Sequence, residues 1–277
     1  MNRKFTGSGL SAAIKKTMDS YEYGKPLVER NALTEFKIKV ANTLEERLAA
    51  YQLGYKVYLN KGFIVENSDE WLIQKYDSFN DTVVLIVQDQ YQKIAGSVTI
   101  VFDGANTLPS EKIYHDELKN LRNSGGKLTE LSRLVISSEY RNAKEILILL
   151  FNYAAIYIRN VKNYNGLTIQ VNPRHKAYYK SLLNFDEVGG EKPCPQVQNA
   201  PAVLLYISES KYQYELNRHR NQKEEIKKDH TLYKYFLKAE QENLVAYYLR
   251  KQATPMPEDE KIYFGIKDTN PSKIVIA

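Results

Sequence analysis

Cysteine is almost missing from this 277-residue chain: Cys194 stands alone. One thiol excludes an internal disulfide framework and points to a reducing compartment. It lies between Pro193 and Pro195, which reads as a loop carrying a surface thiol rather than a nucleophile. Histidine is scarce as well, with 4 unclustered residues, and neither His-Glu-x-x-His nor Cys-x-x-Cys occurs. A zinc site built by the protein is therefore not expected. Glycine-rich phosphate loops are missing: there is no Walker A loop and no Gly-x-Gly-x-x-Gly. The Gly-x-Ser-x-Gly nucleophile elbow is absent too. No apolar run approaches the roughly 18 residues of a membrane span. Met1–Lys16 has basic residues but lacks the apolar centre of a signal peptide. These absences lead us to expect a cytoplasmic protein with no metal and no transmembrane segment.

What is present begins with charge and aromatics. The balance is 39 basic against 33 acidic residues, net +6, with a pI near 9.0. That suits an acidic partner or an anionic ligand, and it serves solubility equally well. The 22 tyrosines each bring a ring to pack and a hydroxyl that needs a partner.

Residues 1–35 read as a leader or arm with a short helix over Leu10–Ser20 and a break at Gly24–Pro26. Phe36, Ile38 and Val40 alternate with polar residues, which predicts a half-buried strand. Thr43 and Glu46 form a capping box that opens a helix with the stripe Leu44, Leu48, Tyr51, Tyr55, Tyr58, stopped at Gly62. Ser68–Phe79 is expected to be a second short helix holding Trp71. Thr82–Gln88 and Lys93–Phe102 predict an antiparallel hairpin. Asp103–Gly126 reads as a mobile polar excursion. Asn142–Asn160 is apolar nearly all round and should be a buried helix. A strand at Gly166–Val171, a helix at Arg174–Leu183 and strands at Phe185–Val188 and Ala202–Ile207 follow, with a loop over Gly189–Pro201. Lys211–Ala277 changes character: Asn217–His230 is charge-dense, Thr231–Gln252 carries an apolar stripe, and Pro255 and Pro257 end it. We divide the chain into 1–35, a main domain at 36–210 and a C-terminal helical extension at 211–277 that packs on it.

The stretch that organises the rest is Lys127–Ile136, an apolar strand interrupted by Glu130, Ser132 and Arg133. Unpaired buried charge is costly, so these residues are either paired with each other or employed. In a regular strand Glu130 and Ser132 share one face and Arg133 takes the other; all three line one site only if the strand is bulged. Tyr140, Arg141, Asn142 and Ala143 then form a turn into a helix N-terminus, a common place for phosphate. No glycine occurs between Ser137 and Asn152, and Asn142 with Glu145 can form a capping pair that occupies the turn's amides.

The element order resembles that of the GNAT acyltransferases, an α/β (α+β) fold with a central mixed sheet flanked by helices. Asn172 followed by Tyr178-Tyr179 and Phe185 resembles the signature of that fold's second half, with Asn184 where glycine is usual. Three stretches narrow the likeness: Tyr51–Tyr58, Glu130–Arg133, and Asn172–His175 with Tyr179, Pro193 and Ala200–Ala202. Together they resemble the long-chain N-acyl amino acid synthases, the branch that includes the N-acyl tyrosine synthases. The Glu-x-Ser-Arg strand also resembles that of the acyl-homoserine lactone synthases. The likeness covers Phe36–Ile207.

It implies transfer of a fatty acyl group from a thioester to the amino group of an amino acid. Glu130 is then the candidate base, or else half of a structural ion pair with Arg133. Arg133 could clamp the acceptor's carboxylate, with Ser132, Asn172 and Arg174 completing the substrate site. Tyr179 is placed to protonate the leaving thiolate, with Tyr178 as its neighbour and competitor. His175 could act as acid or base, or only hydrogen-bond its loop. Tyr140, Arg141, Asn142 and Ala143 would meet the donor's phosphopantetheine. The weak glycine-free grip suits an acyl carrier protein more than coenzyme A. Tyr51, Tyr55, Tyr58, Phe63 and Trp71 are candidates for an acyl groove. No permanently bound cofactor and no nucleic acid are expected. The rival readings are an acyl-homoserine lactone synthase, a coenzyme A-dependent N-acetyltransferase, and a basic scaffold or nucleic-acid-binding protein.

Overall fold

The computed structural model describes residues 36–105, 107–141, 143–221 and 230–266. The leader with its expected helix Leu10–Ser20, Asn142 of the phosphate turn, and part of the charge-dense stretch after Asn217 lie outside the described residues.

Strand β1 (Phe36–Val40) buries Phe36, Ile38 and Val40 on one face, as its alternation requires. Helix α1 (Leu44–Asn60) is capped at Thr43, whose hydroxyl accepts from the Glu46 amide at 3.3 Å; the Glu46 carboxylate reaches back to the Asn42 amide at 2.9 Å. β2 (Val83–Asp89) and β3 (Ile94–Phe102) form the expected hairpin. Next come helix α2 (Glu111–Asn123), strand β4 (Leu128–Ile136), helix α3 (Ala143–Ile156) and strand β5 (Gly166–Val171). Helix α4 (Lys176–Leu183), strands β6 (Asp186–Cys194) and β7 (Ala200–Ser208), and helices α5 (Glu209–Asn221), α6 (Ala239–Gln252) and α7 (Glu258–Tyr263) complete the order. The seven-stranded sheet runs β1-β2-β3-β4-β5-β7-β6, antiparallel except where β4 and β5 lie parallel.

Apolar side chains of the sheet sort to two sides. One packs under α3, α4, α5 and α6 in the main core. The other meets α1 in one cluster and α2 in another. Among the described residues no helix is long and apolar enough to cross a membrane.

Several elements differ from expectation. Ser68–Phe79 is not a helix; only a 3₁₀ turn at Lys75–Ser78 forms, and Trp71 lies in irregular chain. The Asn67 side chain accepts from the amides of Asp69 (3.1 Å) and Glu70 (2.8 Å), which gives the backbone a local alternative to helix. The polar excursion Asp103–Gly126 contains α2, whose Tyr114 and Leu118 are fully buried beneath polar neighbours. β6 takes in the first part of the expected loop, from Gly189 to Cys194, with register shifts at Glu187/Gly189 and Gly189/Lys192. Its one proline, Pro193, is tolerated because β6 is an edge strand. Cys194 is accordingly buried and not a surface thiol.

Candidate active site

Between Ser97 and Thr99 of β3 the pairing jumps from Val135 to Ser132, so Arg133 and Leu134 together oppose Val98. This is a β-bulge, and Arg133 adopts the left-handed backbone that goes with it, φ 50°. The bulge turns Arg133 onto the face that already carries Glu130 and Ser132, where its guanidinium reaches the Thr99 hydroxyl at 2.8 Å. A strand whose parity would have divided the three residues thus brings them together.

Glu130 and Arg133 are not paired with each other. Both hydrogen bonds to Glu130 fall on Oε2, from the Ser110 amide at 2.9 Å and the Ser110 hydroxyl at 2.6 Å. Ser110 is the residue at which α2 begins. Burial raises the Glu130 carboxyl to about 7, more than the two Ser110 bonds lower it. Arg133 is held by Asp77: Nη1 donates to Asp77 Oδ2 at 2.7 Å and to the Leu72 carbonyl at 2.9 Å, while Nη2 donates to Asp77 Oδ1. The guanidinium lies between the rings of Tyr51 and Tyr76, 5.3 and 5.1 Å from their centroids. Burial disfavours its charge, and Asp77 outweighs that, so the group stays protonated. Both of its terminal nitrogens are engaged within the protein, by Asp77, the Leu72 carbonyl and Thr99, and the side chain borders both the chamber and the groove described next.

Glu130 and Ser132 face a small polar chamber of about 130 Å³, lined also by Gln74, Tyr76, Gln170 and Gln196. Tyr76 and Ser132 share a 2.9 Å hydrogen bond on its wall. The Cys194 thiol lines it as well and accepts from the Gln170 amide at 2.9 Å. Tyr58, Phe63, Leu131, Val171 and Asn172 border both this chamber and a larger groove of about 760 Å³. That groove exists because β4 and β5 pair only from Leu128–Gly166 to Leu131–Ile169 and then part. Leu134 and Ile136 of β4, Ile169 of β5, and Leu147 and Phe151 of α3 give it apolar walls. The arrangement is a buried carboxyl at the head of an apolar channel, which can accept a proton beside a bound hydrophobic chain.

A family model of the N-acyl amino acid synthase FeeM matches residues 49–208, which contain the chamber, the groove and Glu130. The chain belongs to the N-acyl amino acid synthase family. The structure of FeeM, an N-acyl amino acid synthase from uncultured soil microbes, is 22% identical to this synthase. The match covers 65% of this chain and 93% of that one, at a TM-score of 0.55. The acyl-homoserine lactone synthase LasI is 17% identical over 64% of this chain and 91% of its own, with a TM-score of 0.47. An acetyltransferase of the GNAT family from Streptococcus pneumoniae is 19% identical over 63% and 99%, with a TM-score of 0.44. No curated protein sequence matches the chain. The synthase is an N-acyltransferase with the GNAT fold.

The other expected site residues divide. Tyr179 lines the groove and packs on Phe151 and Phe185, and burial pushes its hydroxyl well above the ordinary tyrosine value. Tyr178 is half-exposed at the rim, its ring perpendicular to that of Tyr179. Asn172 borders both cavities; its Oδ1 caps the Arg174 amide at 3.2 Å and its Nδ2 donates to the Pro201 carbonyl at 3.2 Å. His175 is exposed at the groove rim and does not line the Glu130 chamber. Arg174 lines neither cavity and lies over the Phe63 ring, 6.0 Å away.

Of the expected acyl-groove residues, only Tyr58 and Phe63 line the groove. Tyr51 and Trp71 pack against Phe264, and Tyr55 is buried with its hydroxyl accepting from the Asn67 amide at 3.2 Å. Their stripe faces the sheet and the C-terminal segment instead. Of the phosphate turn, Ala143 reaches the groove, and Arg141 is exposed and lines neither cavity. Tyr140 is turned away, with its hydroxyl on Asp89 at 2.8 Å and its ring edge-on to Phe36.

Sequence reasoning missed Ser110, Asp77, Tyr76 and the glutamines of the chamber. Ser110 and Asp77 act through tertiary contacts, and nothing periodic in their neighbourhoods marks them. A complementary sign was present nonetheless: a buried arginine demands a carboxylate from elsewhere in the chain.

Proposed function

We propose that this synthase moves a long-chain fatty acyl group from a phosphopantetheine thioester to the amino group of an amino acid, giving an N-acyl amino acid. The observation that carries the reading is the opening of the buried Glu130 chamber into an apolar groove between the parted ends of β4 and β5. In this reading Glu130, directly or through a water, takes a proton from the acceptor's ammonium. The amine nitrogen forms a bond to the thioester carbon, the carbon–sulfur bond breaks, and Tyr179 protonates the departing thiolate; the second proton that nitrogen sheds on becoming an amide returns to the Tyr179 oxygen through water. A carboxyl with its pKa near 7 is well placed to serve as a base at neutral pH. Burial keeps Tyr179 protonated, so its hydroxyl carries the proton this step requires at neutral pH. Ser132 and Asn172 are the acceptor's polar contacts.

We take the donor to be an acyl carrier protein, because the turn before α3 offers no glycine and turns Tyr140 away from the groove. An acidic carrier suits a chain of pI near 9.0. The lone cysteine accords with work in the cytoplasm. The test is mass spectrometry of lipid extracts from cells producing the protein or its Glu130→Gln form. New N-acyl amino acids made only by the unmodified protein are expected, and their masses give both acceptor and chain length. Equal yields from both forms would remove Glu130 from the role of base.

A further inference from the structure

A serine at the start of a helix ordinarily gives its side chain to the helix's own free amides. Ser110, where α2 begins, does not: its backbone is helical (φ −79°, ψ −5°) and its side chain makes no capping bond. Its Oγ instead donates to Glu130 Oε2 at 2.6 Å, and its amide donates to the same oxygen at 2.9 Å. Ser110 is fully buried and Glu130 very nearly so. Two donors on one oxygen divide the carboxyl. Oε2 has both lone pairs occupied and is closed to a further proton. Among the described residues nothing donates to Oε1, yet that atom is not sealed off: its open side is the chamber.

Several contacts hold Ser110 in this place. Its carbonyl accepts from the amides of Ile113 (3.0 Å) and Tyr114 (2.9 Å), which ties it into the first turn of α2. Tyr114 anchors that turn: it is fully buried, and its hydroxyl donates to the Ala202 carbonyl of β7 at 2.6 Å. Arg122 closes the chain between β3 and α2, donating to Asp103 at 2.6 Å and to Glu111 at 2.5 Å. Pro109, beside Ser110, accepts from the Gln196 side chain at 3.3 Å. The other groups around the carboxyl compete little with Ser110. β3 and β5 set Val101 and Thr168 opposite Glu130, neither of them ionisable. Arg133 on its own strand is matched by Asp77, and Glu111 on α2 is held ionised by Arg122. Tyr58, Tyr76 and Cys194 line the same chamber, and burial keeps both tyrosines protonated. Burial raises the Glu130 carboxyl to about 7; the Ser110 hydroxyl pulls it back more than the Ser110 amide does, and Glu111 adds a smaller push upward.

We infer that Ser110 is the positioning residue of Glu130: it holds Oε2 with both of its donors and so directs Oε1 into the chamber as the oxygen that takes the proton. The source of that proton, the acceptor's ammonium, rests on the acyl-transfer reading above; the division of the two oxygens does not. In the step, an N–H bond of the ammonium breaks, its electron pair stays on nitrogen, and an O–H bond forms at Oε1. Ser110 does not line the chamber and touches no reacting atom. Its hydroxyl keeps the carboxylate available near neutral pH, where burial alone would hold more of it protonated.

The test uses Ser110→Ala, which removes the hydroxyl and keeps the amide, with Ser110→Thr as the conservative form. Carbon-13 NMR of the full chain, labelled at its glutamate side-chain carboxyls, follows the Glu130 titration; the signal is the one that Glu130→Gln removes. The midpoint should rise by about one pH unit or more in Ser110→Ala, as the loss of a hydrogen bond to a charged group gives, and return in Ser110→Thr. In parallel, kcat/KM for the acceptor should fall about tenfold at pH 6 in Ser110→Ala and by no more than about threefold at pH 8.5. Both proteins meet the same acceptor, so its own titration cancels in the ratio. An unmoved midpoint overturns the inference. So does a loss of activity that is uniform with pH, which is what simple damage to the start of α2 would give. A midpoint that moves while Glu130→Gln acylates as well as the unmodified protein upholds the hold of Ser110 on the carboxyl and counts against the base role of Glu130 alone.

Discussion

Glu130 and Arg133 are both charged groups on the same strand, and the protein treats them in opposite ways. Arg133 has a full-time partner in Asp77, so its charge is structural. Replacing Asp77 by Ala leaves a buried guanidinium unpaired, and urea denaturation should show a loss of about 3–5 kcal/mol. An Asp77→Leu, Arg133→Met double variant should recover most of that loss; a double variant no better than Asp77→Ala would mean the pair is not the source. Among the described residues Glu130 forms no ion pair, and its hydrogen bonds come from Ser110. Its folded pKa near 7 lies above the ordinary 4.5, so between those values the folded state holds a proton that the unfolded chain has released. Stability from this group is therefore greatest below pH 4.5 and falls as pH rises to 7. Glu130→Gln should remove activity and, at pH 8, stabilise the fold by roughly 1–3 kcal/mol relative to its effect at pH 4. Thermal melts at the two pH values read this directly, and a difference that does not change with pH would contradict the raised pKa.

At the scale of elements, the site is the consequence of one irregularity and one separation. The bulge at Arg133 gathers the polar residues of β4 on one face, and the divergence of β4 from β5 beyond Leu131–Ile169 opens the groove. Leu147 and Phe151 of α3 line that groove from the core side. Leu147→Trp should shorten the acyl chains accepted by several methylenes, read by mass spectrometry of the products; an unchanged chain-length distribution would place the acyl chain elsewhere. Strong local patterns made most elements legible: the alternation of β1, the Thr43 cap, the hairpin and the apolar α3 all lie where sequence placed them, within a residue or a few. α2 escaped because only Tyr114 and Leu118 of its length are buried, so its apolar stripe is thin. The helix expected over Ser68–Phe79 does not form because the Asn67 side chain settles a turn at its start. The site was legible as charge inside an apolar strand. Its wiring was not, because Ser110 and Asp77 come from segments distant in sequence and without periodicity.

Across the whole molecule, the family match ends at residue 208, and helices α5, α6 and α7 follow it. α6 lies on α3 and β1, and the Gln252 side chain accepts from the Val40 amide at 3.2 Å, closing part of the sheet's edge. The segment after it returns to α1. Met256 and Phe264 join the cluster of Tyr51 and Ala50, and Glu260 forms a buried ion pair with Arg47 at 2.5 Å. Phe264 packs edge-on against both Tyr51 and Trp71, with centroids 5.2 and 5.7 Å away. Tyr51 is the ring that flanks Arg133, and its carbonyl accepts from the Leu72 amide at 3.1 Å; the Leu72 carbonyl in turn holds Arg133. The C-terminal segment therefore braces the wall of the active chamber from behind, through one layer of aromatic packing. Phe264→Ala should lower stability by about 3–5 kcal/mol, since it empties a buried ring site whose neighbours are fixed by other contacts. Because Leu72 belongs to the chamber wall and not to the groove lining, the same variant should weaken acceptor binding more than donor binding. Urea denaturation with paired KM measurements checks both parts. A stability change below about 0.5 kcal/mol, the range of an ordinary surface substitution, would show that the brace is not closed in solution. An equal rise in both KM values would locate its effect in the fold as a whole and not in the chamber wall.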